Sequence, residues 1–473
     1  MHLTNLAGLP FNRFLPIYNW LYPLTGKRSK RFSGIHALDV LSALQPARGR
    51  ALYLHIPFCE TICTFCPFVR GGYRDPSIID AYVDALETEI RIKASYPLVT
   101  DPPVRSIFVG GGTPSLLEPD HIRRIGAALA QHFDLSQLTE FSFECEVKSV
   151  TPERIGAMRE IGVTHARFGL QTFSPEYRRL FNLTSTIDQI ERATTMFSDA
   201  FPYVSCDILY GMNGETVDEL RNDLNRVCDL GLRNIDIYPI NNVVTQPKLH
   251  ASFADEGLAP TSGLTKFYMN IYVRETMRER GYLPHNGHGY VKVPKDELDG
   301  DPVVTDRYSF VYHEHVYGYP GYDLLGFGTN AVSSFEGFSI TNAASRNGYI
   351  ASLADGIIPM TVRKHEHDID ACRPLALSLP YHGAARKEWI DWPSLHESAW
   401  ERLQRLIAHG LVAETSNAFE LTRTGWEWYS SVMHYLLPPA EQSAVDTIIH
   451  TALHDERRTI ESSGIEIALP EIP

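Results

Sequence analysis

Three cysteines on one short stretch are the residues of this chain with the clearest capacity for chemistry. Cys59, Cys63 and Cys66 follow the spacing C-x3-C-x2-C. Thiolates on such short spacers ligate iron–sulfur clusters, and three of them would leave one iron of a four-iron cluster without a thiolate. Zinc fits less well, because structural zinc usually takes four ligands in two short pairs and no second pair lies nearby. A disulfide would need an oxidising compartment, which nothing else in the sequence indicates.

Two motifs beside the cysteine loop carry a family resemblance. Tyr53-Leu-His55-Ile-Pro57-Phe58 precedes the loop, and Gly110-Gly-Gly112-Thr113-Pro114 follows one βα unit later. Together they resemble the radical S-adenosylmethionine (SAM) superfamily, in particular the branch of oxygen-independent coproporphyrinogen III oxidase. The resemblance implies that Cys59, Cys63 and Cys66 hold a 4Fe-4S cluster whose open iron is chelated by the amino and carboxylate groups of SAM.

The implied chemistry belongs to the cofactors. In this superfamily the cluster passes an electron into the SAM sulfonium, and the resulting 5′-deoxyadenosyl radical removes hydrogen from an unactivated carbon of a small-molecule substrate. The resemblance also implies an electron donor such as flavodoxin or ferredoxin. The protein's part is to hold the reacting atoms together and to exclude water and competing reductants.

Polar and glycine residues at the ends of predicted strands are the candidates for binding SAM. A glycine run lets backbone approach a ligand closely, although it also makes ordinary tight turns. Glu144 should face inward and needs a partner, because a buried unpaired carboxylate is costly; a salt bridge at the rim is the alternative. By resemblance the SAM contacts are Tyr53, Phe65, Gly111, Gly112, Thr113, Glu144, Gln171, Arg179 and Asp207.

Several of these candidates have plainer interpretations. Tyr53 and Glu144 are the residues predicted to act in catalysis, but Tyr53 could equally be a core tyrosine. Arg178 or Arg179 could hold a carboxylate or simply belong to a solvated helix face.

The histidines of the later chain are a separate group. His285, His288, His313 and His315 have spacings that suit a metal poorly, so substrate contacts or surface positions are preferred.

Short apolar runs alternate with amphipathic helical patterns from Ala51 onward, which indicates βα units and a parallel sheet. The predicted fold class is α/β, an open six-stranded parallel (β/α)6 partial barrel with a lid segment and a small helical, winged-helix C-terminal domain. The strands are predicted at 51–56, 104–109, 141–144, 166–169, 203–209 and 234–238. Ligands of such folds collect at the carboxyl ends of the strands. We therefore expect one mouth to be faced by Cys59, Gly111, Glu144, Gln171, Asp207 and Tyr238.

Five regions are predicted along the chain. Residues 1–48 form an N-terminal arm, 49–282 the (β/α)6 core and 283–372 a lid with a family-specific segment. Residues 373–440 form the C-terminal domain and 441–473 a tail. The aromatic arm is expected to pack along the main domain; docking to a membrane surface or a carrier protein is the alternative.

Composition limits the function classes. The net charge of −14 argues against nucleic-acid binding, even though winged helices often bind DNA. No apolar run is long enough for a membrane span. The charges after the N-terminal apolar stretch are in the wrong order for a signal peptide, and the four scattered cysteines suit a reducing cytoplasm, so a cytoplasmic location is expected.

The resemblance also indicates which branch of the superfamily the chain is most similar to. Phe68 stands where true coproporphyrinogen oxidases carry a further cysteine, Leu183 where they carry a basic residue, and basic residues for a tetra-anionic porphyrinogen are few. Cys66-Pro-Phe68 looks more like radical SAM methyltransferases that make C-methyl or cyclopropane groups on natural products or tetrapyrroles, using one or two SAM molecules. Oxidative decarboxylation of coproporphyrinogen III and a non-catalytic haem chaperone are the alternatives; His285-Asn286 matches only part of the chaperone signature.

Overall fold

A computed structural model describes the chain at residues 6, 8–12, 14–17, 22–24, 27–28, 40–42, 45–72, 75–240, 247–298 and 310–450. The predicted tail therefore lies outside the described residues from 451 onward, as do most of the predicted N-terminal arm and residues 299–309. None of the helices within these ranges combines the length and the apolar character that a membrane crossing requires.

One large sheet organises the described chain. Its strands are β1 Lys27–Arg28, β2 Gly49–Ile56, β3 Val104–Gly111, β4 Glu140–Cys145, β5 His165–Gln171, β6 Tyr203–Tyr210, β7 Asn234–Pro239, β8 Tyr282–Pro284, β9 Gly289–Lys292, β10 Tyr322–Phe327, β11 Val332–Phe335, β12 Phe338–Asn342 and β13 Met360–Lys364. Their order is β1-β13-β12-β11-β10-β2-β3-β4-β5-β6-β7-β9-β8. The run from β10 through β2 to β7 is parallel, and the strands beyond both ends of this run are antiparallel.

Helices connect the parallel strands and cover the sheet. They are α1 Ser77–Lys93, α2 Pro97–Thr100, α3 Pro119–His132, α4 Pro152–Glu160, α5 Pro175–Leu180, α6 Ile187–Ala200, α7 Val217–Asp229, α8 Pro247–Asp255, α9 Gly263–Glu279, α10 Val311–Val316, α11 Arg346–Ala354 and α12 His367–Arg373. Capping boxes begin α6 and α7, where Thr186 with Gln189 and Thr216 with Glu219 exchange hydrogen bonds in both directions. The sequence therefore fixes the starts of these two helices locally.

The six-stranded prediction is wrong in its count, because a seventh parallel strand, β10, lies beside β2. Buried charges hold β10 there. The Arg50 guanidinium donates to both carboxylate oxygens of Asp323 at 2.7 and 2.6 Å. On α1, the Lys93 ammonium pairs with Glu89 at 2.6 Å and donates to the Gly326 carbonyl at 2.6 Å. Buried charges require such partners, so these pairs fix the position of the strand.

Residues 283–372, predicted as a lid with a family-specific segment, contribute strands to the large sheet. In their described part they supply β9 to β13, which extend the sheet at both ends, and β11 to β13 form a meander beside β10. The remaining domain boundaries stay a prediction.

The C-terminal unit contains a three-stranded antiparallel sheet and several helices. Its strands are β14 Ala384–Arg386, β15 Val412–Glu414 and β16 Ala418–Leu421, and its helices are α13 Leu379–His382, α14 Ala399–Ala408, α15 Arg423–Glu427 and α16 Tyr429–Leu436. The winged-helix assignment stays a prediction.

The described residues of the N-terminal arm enter the core of the C-terminal unit, where Phe11 stacks on Trp428 at 5.7 Å. Leu9, Phe14 and Ile17 are buried in the same core. The arm is therefore packed against the protein at two places: in the core of the C-terminal unit, and on the large sheet, where β1 Lys27–Arg28 pairs with β13.

Candidate active site

The interior of the parallel sheet is marked by residues that keep solvent access on otherwise buried strands. On β2, Tyr53 alone is incompletely buried, and Glu144 on β4 and Tyr238 on β7 are the corresponding residues of their strands. Gln171 ends β5, and Asp207 on β6 keeps 34% of its side chain exposed. We call the space that these side chains face the chamber.

Electrostatic contacts show that these side chains converge. The charge of Glu144 acts on both Tyr53 and Asp207, and the charge of Asp207 acts on Tyr238. Side chains from β2, β4, β6 and β7 therefore meet in one interior, at the carboxyl-end half of the sheet where parallel folds collect ligands.

The cysteine loop leaves β2 and is anchored at both of its ends. The Cys59 amide donates to the Gly71 carbonyl at 3.2 Å, and the Gly71 amide donates to Pro57 at 3.0 Å. Near its tip, the Thr64 amide and hydroxyl donate to the carbonyls of Phe181 and Leu180 at 3.2 and 2.8 Å. Because backbone groups make these contacts, the shape of the loop is set independently of its cysteines.

Arg70 closes the loop from inside. Its guanidinium donates to the Phe68 carbonyl at 2.6 Å and to the Cys63 carbonyl at 3.0 Å, while its buried Nε has no protein partner. The positive charge lowers the pKa of Cys59, Cys63 and Cys66, although burial outweighs it in each case. Sequence reasoning missed Arg70, because a single basic residue after the loop carries no distinctive spacing.

The three thiols suit a cluster better than a single ion. Burial, followed by the neighbouring Cys66 and Cys59 thiols, raises the pKa of Cys63 to about 12. Across the described ranges, no group of three or more His, Cys, Asp or Glu side chains is arranged to hold one metal ion. In a four-iron cluster each thiolate binds a different iron, so the sulfurs stand farther apart than the ligands of one ion. Three thiols on one short loop, close enough for the charges of Cys66 and Cys59 to act on Cys63, are a donor set that fits a cluster.

The glycine run passes between the cysteine loop and Glu144. The Gly111 amide donates to Glu144 Oε2 at 2.9 Å, and Gly111 has a φ of +115° that favours glycine. A Cβ at Gly110 would lie 2.7 Å from the same oxygen, and a Cβ at Gly112 would lie 2.6 Å from the Phe58 carbonyl oxygen. Glycine is thus required here because the loop and the carboxylate both touch the backbone.

Two further candidates line this part of the site. Burial raises the pKa of Cys59, whereas a hydrogen bond from the Thr113 hydroxyl lowers it. The Thr113 amide donates to the Phe58 carbonyl at 2.6 Å, so the end of the glycine run is joined directly to the loop. The Tyr53 hydroxyl lies 3.0 Å from His55 Nδ1. Tyr53 therefore faces the chamber and has a polar partner there.

An ion pair lies on the chamber wall below Asp207. Arg167 Nη2 contacts Asp236 Oδ2 at 2.5 Å and lies 4.0 Å from Asp207 Oδ1. Burial, opposed by Arg167, raises the pKa of Asp207 to about 8, and Asp207 Oδ1 has no hydrogen-bond partner. Gln171 Oε1 is also buried without a partner, in a residue with a φ of +73°. Unsatisfied buried polar atoms of this kind are expected where a ligand binds.

Arg167 and Asp236 were not among the predicted site residues. Each stands two or more positions before the end of its strand, and only their pairing across β5, β6 and β7 reveals a role. Strand alternation could have indicated that Arg167 faces the interior.

Two predicted contacts are placed less favourably. Arg179 is 60% exposed and pairs with Glu256 at 2.9 Å, so the structure does not bring its guanidinium to the chamber. Phe65 packs against Phe181 with ring centroids 5.0 Å apart, and the structure places it on the tip of the loop. Arg178 holds the carbonyls of Leu170 and Thr172, each at 3.0 Å, and is therefore structural.

The histidines divide into two groups. His285 and His313 lie in the chamber wall with ring centroids 5.7 Å apart, and His288 packs on Tyr238 at 4.1 Å. His315 lies elsewhere, because its Nδ1 contacts the Asp323 carbonyl at 2.8 Å beside β10.

Comparison with known proteins agrees with this geometry. Residues 53–227 match the family described as the radical SAM superfamily. An anaerobilin synthase of Escherichia coli O157:H7 is 25% identical over 405 residues, which are 84% of this chain and 86% of that protein. An oxygen-independent coproporphyrinogen III oxidase of Pseudomonas aeruginosa is 24% identical over 434 residues, covering 85% of this chain and 91% of that enzyme.

Among solved structures, coproporphyrinogen III oxidase (HemN) from Escherichia coli superposes with a TM-score of 0.70. The match has 22% sequence identity and covers 86% of this chain and 94% of that chain. At this identity the likeness concerns the fold.

Proposed function

We propose that this chain is a member of the radical SAM superfamily, in its coproporphyrinogen oxidase-like branch, and that it is an enzyme for radical C-methylation or cyclopropanation of a small molecule. Cys59, Cys63 and Cys66 would hold a 4Fe-4S cluster, with SAM beside it. When bound, these groups supply a 5′-deoxyadenosyl radical for hydrogen abstraction, with electrons from a donor such as flavodoxin or ferredoxin. The proposal rests on one observation: backbone hydrogen bonds join the cysteine loop directly to the glycine run, and the glycine run in turn donates to Glu144. We call this connection the joint.

The residues around this joint have distinct tasks. Gly110 to Gly112 provide backbone room and Glu144 an acceptor, which suits the ammonium group of SAM. Gln171 Oε1 and Asp207 Oδ1 are free to accept from ligand hydroxyls. Tyr53 lies between these groups and the rest of the chamber, where it would orient the substrate. Arg179 lacks a supporting contact in this arrangement.

Water would be excluded by the packing around the chamber. The helix α10 lies against β3 and β10, and Tyr312 on it packs on Phe108 with centroids 4.8 Å apart. The C-terminal unit contacts α9 through Asn270, whose amide donates to the Glu427 carbonyl at 2.9 Å. An enclosed site protects a reactive radical from solvent.

Oxidative decarboxylation of coproporphyrinogen III is the second candidate, and the names of several relatives as coproporphyrinogen III oxidases favour it. The chamber charge weighs against it. Arg167 is already paired with Asp236, and Asp207 and Glu144 add carboxyl groups nearby. A substrate with four carboxylates would need several uncommitted cations. This charge balance is why methyl transfer, with a second SAM as methyl source, is preferred here.

The test is anaerobic reconstitution with iron and sulfide, followed by dithionite and SAM, with and without coproporphyrinogen III. We expect 5′-deoxyadenosine that coproporphyrinogen III does not stimulate, and S-adenosylhomocysteine alongside it when aromatic small molecules are supplied. Stimulation by coproporphyrinogen III with release of CO2 and no S-adenosylhomocysteine would establish the second candidate instead. A protein that binds haem, shows cluster absorbance and yields no 5′-deoxyadenosine would be a chaperone.

A further inference from the structure

An aromatic wall runs from the predicted SAM site across the chamber. It begins at Tyr53, whose ring centroid lies 6.1 Å from that of Phe108. Phe108 in turn packs on Tyr312 at 4.8 Å with an interplanar angle of 32°. All three side chains are only partly buried, although the residues beside Tyr53 and Phe108 on their strands are buried. They therefore present ring surface to the open chamber.

Two imidazoles continue this wall. The His285 and His313 rings are nearly parallel, with centroids 5.7 Å apart and an angle of 17°. Phe310 packs edge-on against His285 at 5.2 Å, and Tyr317 stacks on His313 at 5.1 Å. Rings packed in series give this wall a continuous aromatic surface, and aromatic pairs add binding energy beyond the area they bury.

The imidazoles leave hydrogen-bonding capacity unused. His285 Nε2 and His313 Nδ1 are buried and have no partner in the described protein. Burial, followed by neighbouring histidines and Arg167, lowers the pKa of both rings well below the ordinary value. Each ring is therefore neutral at physiological pH and offers one donor and one acceptor. A buried polar atom without a partner is costly, so a ligand group is the expected partner. His313 is the more accessible of the two.

The chamber is electrically balanced around these rings. The positive charge of Arg167 is matched by Asp236 at 2.5 Å. Asp207, whose pKa burial raises to about 8, adds a carboxyl group and no cation. Among the described residues of this wall no cation is left uncommitted, so a ligand with a net negative charge would be buried without a partner, which is unfavourable.

From these observations we infer that the chamber binds an uncharged, flat aromatic substrate that carries a hydrogen-bonding group, and that His313 positions this group. The inference rests on the proposed function, because it names the substrate class of that same site. It differs from a porphyrinogen with carboxylate arms both in charge and in the single polar anchor.

Three matched naphthalenes test the inference by equilibrium dialysis against the reconstituted protein. Naphthalene supplies the flat ring, 2-naphthol adds a neutral hydroxyl at the same size, and 2-naphthoate adds a negative charge. We expect 2-naphthol to bind at least about tenfold more tightly than naphthalene, which is the effect of satisfying one buried partner. We expect 2-naphthoate to bind more weakly than 2-naphthol. Equal binding of all three, or tightest binding of 2-naphthoate or coproporphyrin III, would overturn the inference.

Variants of His313 assign the anchor. His313→Phe should lower 2-naphthol affinity to that of naphthalene and leave naphthalene binding unchanged, and His313→Gln should restore part of the difference. His132→Phe, on helix α3 outside the chamber, is the matched control and should change neither affinity. A His313→Phe protein that folds and keeps the full preference for 2-naphthol would exclude this residue as the anchor. If His313→Phe does not fold, the His313→Gln comparison decides the assignment.

SAM cleavage by the same preparations separates the two proposals. Formation of 5′-deoxyadenosine without selective 2-naphthol binding would leave the proposed function standing and refute the substrate class. Selective 2-naphthol binding without any SAM cleavage would leave the substrate class standing and refute the proposed function.

Discussion

Gly112→Ala offers a direct test of the joint between the cysteine loop and the glycine run. The Gly112 amide donates to the Ile56 carbonyl at 2.8 Å, and the next amide donates to the Phe58 carbonyl at 2.6 Å. A Cβ on Gly112 would lie 2.6 Å from the Phe58 oxygen, 2.8 Å from the Ile56 oxygen and 2.9 Å from the Phe58 nitrogen. All three neighbours are backbone atoms, so no side chain can rotate away.

The displacement follows from these distances. Ordinary non-bonded contact begins near ~3.5 Å, so the loop and the glycine run must separate by about 0.9 Å from the present 2.6 Å. Overpacking of this kind typically costs about 1–3 kcal/mol of folding free energy. Cys59 directly follows Phe58, so the cluster ligands move with the loop. A misplacement of about 1 Å at a reacting centre can lower a rate ~100-fold.

The measurement is the initial rate of 5′-deoxyadenosine formation, together with the iron content of the reconstituted protein. Gly156→Ala is the matched control, because a Cβ there meets no atom within 4 Å. It lies in helix α4, where alanine should stabilise the fold by about 0.4–1 kcal/mol and leave the rate unchanged. If Gly112→Ala cleaved SAM within twofold of the wild-type rate with normal iron content, the reasoning about the joint would be wrong.

Three further outcomes are expected. Cys63→Ala should abolish cluster absorbance and SAM cleavage with an unchanged far-UV circular dichroism spectrum; cleavage at the wild-type rate would contradict the ligand assignment. Asp236→Asn leaves Arg167 buried without its counter-charge, so urea unfolding should report a loss of about 3–5 kcal/mol, and a loss below about 1 kcal/mol would refute the pairing. Burial opposes the shift, but His365 and other basic contacts lower the pKa of Asp370 to about 2. Because this pKa lies below that of an unfolded aspartate, the ionised carboxylate stabilises the fold. Asp370→Asn should therefore lower the free energy of unfolding by about 2 kcal/mol at pH 6, and by progressively less as the pH falls below ~4.

The parallel strands were predictable because each one carries its own local evidence. All six predicted strands are present with bounds within two residues of those expected at both ends. Their apolar runs are buried, and those of β3, β4 and β5 are followed near the strand end by Gly110, Glu144 and Gln171. The cysteine loop, the glycine run and Glu144 could be placed for the same reason.

The features that the sequence did not predict depend on contacts between distant parts of the chain. Tyr322–Phe327 is short and precedes a glycine, and its place in the sheet depends on Arg50 meeting Asp323. The Arg167 and Asp236 pair likewise joins two strands that are not neighbours. The placement of Arg179 was not readable for a different reason, since a motif position does not determine whether a long side chain turns inward or, as here, to Glu256 on the surface.

The extra strand also changes how the active site is supported. In a sheet of six strands β2 would be an edge strand, although it carries Tyr53 and leads into the cysteine loop. With β10 beside it, the edge is covered. The Tyr82 hydroxyl donates to the His55 carbonyl at 2.7 Å and accepts from the Thr329 amide at 2.9 Å, which joins the segment after β10 to the end of β2. Part of residues 283–372 therefore supports the strand from which the cysteine loop leaves.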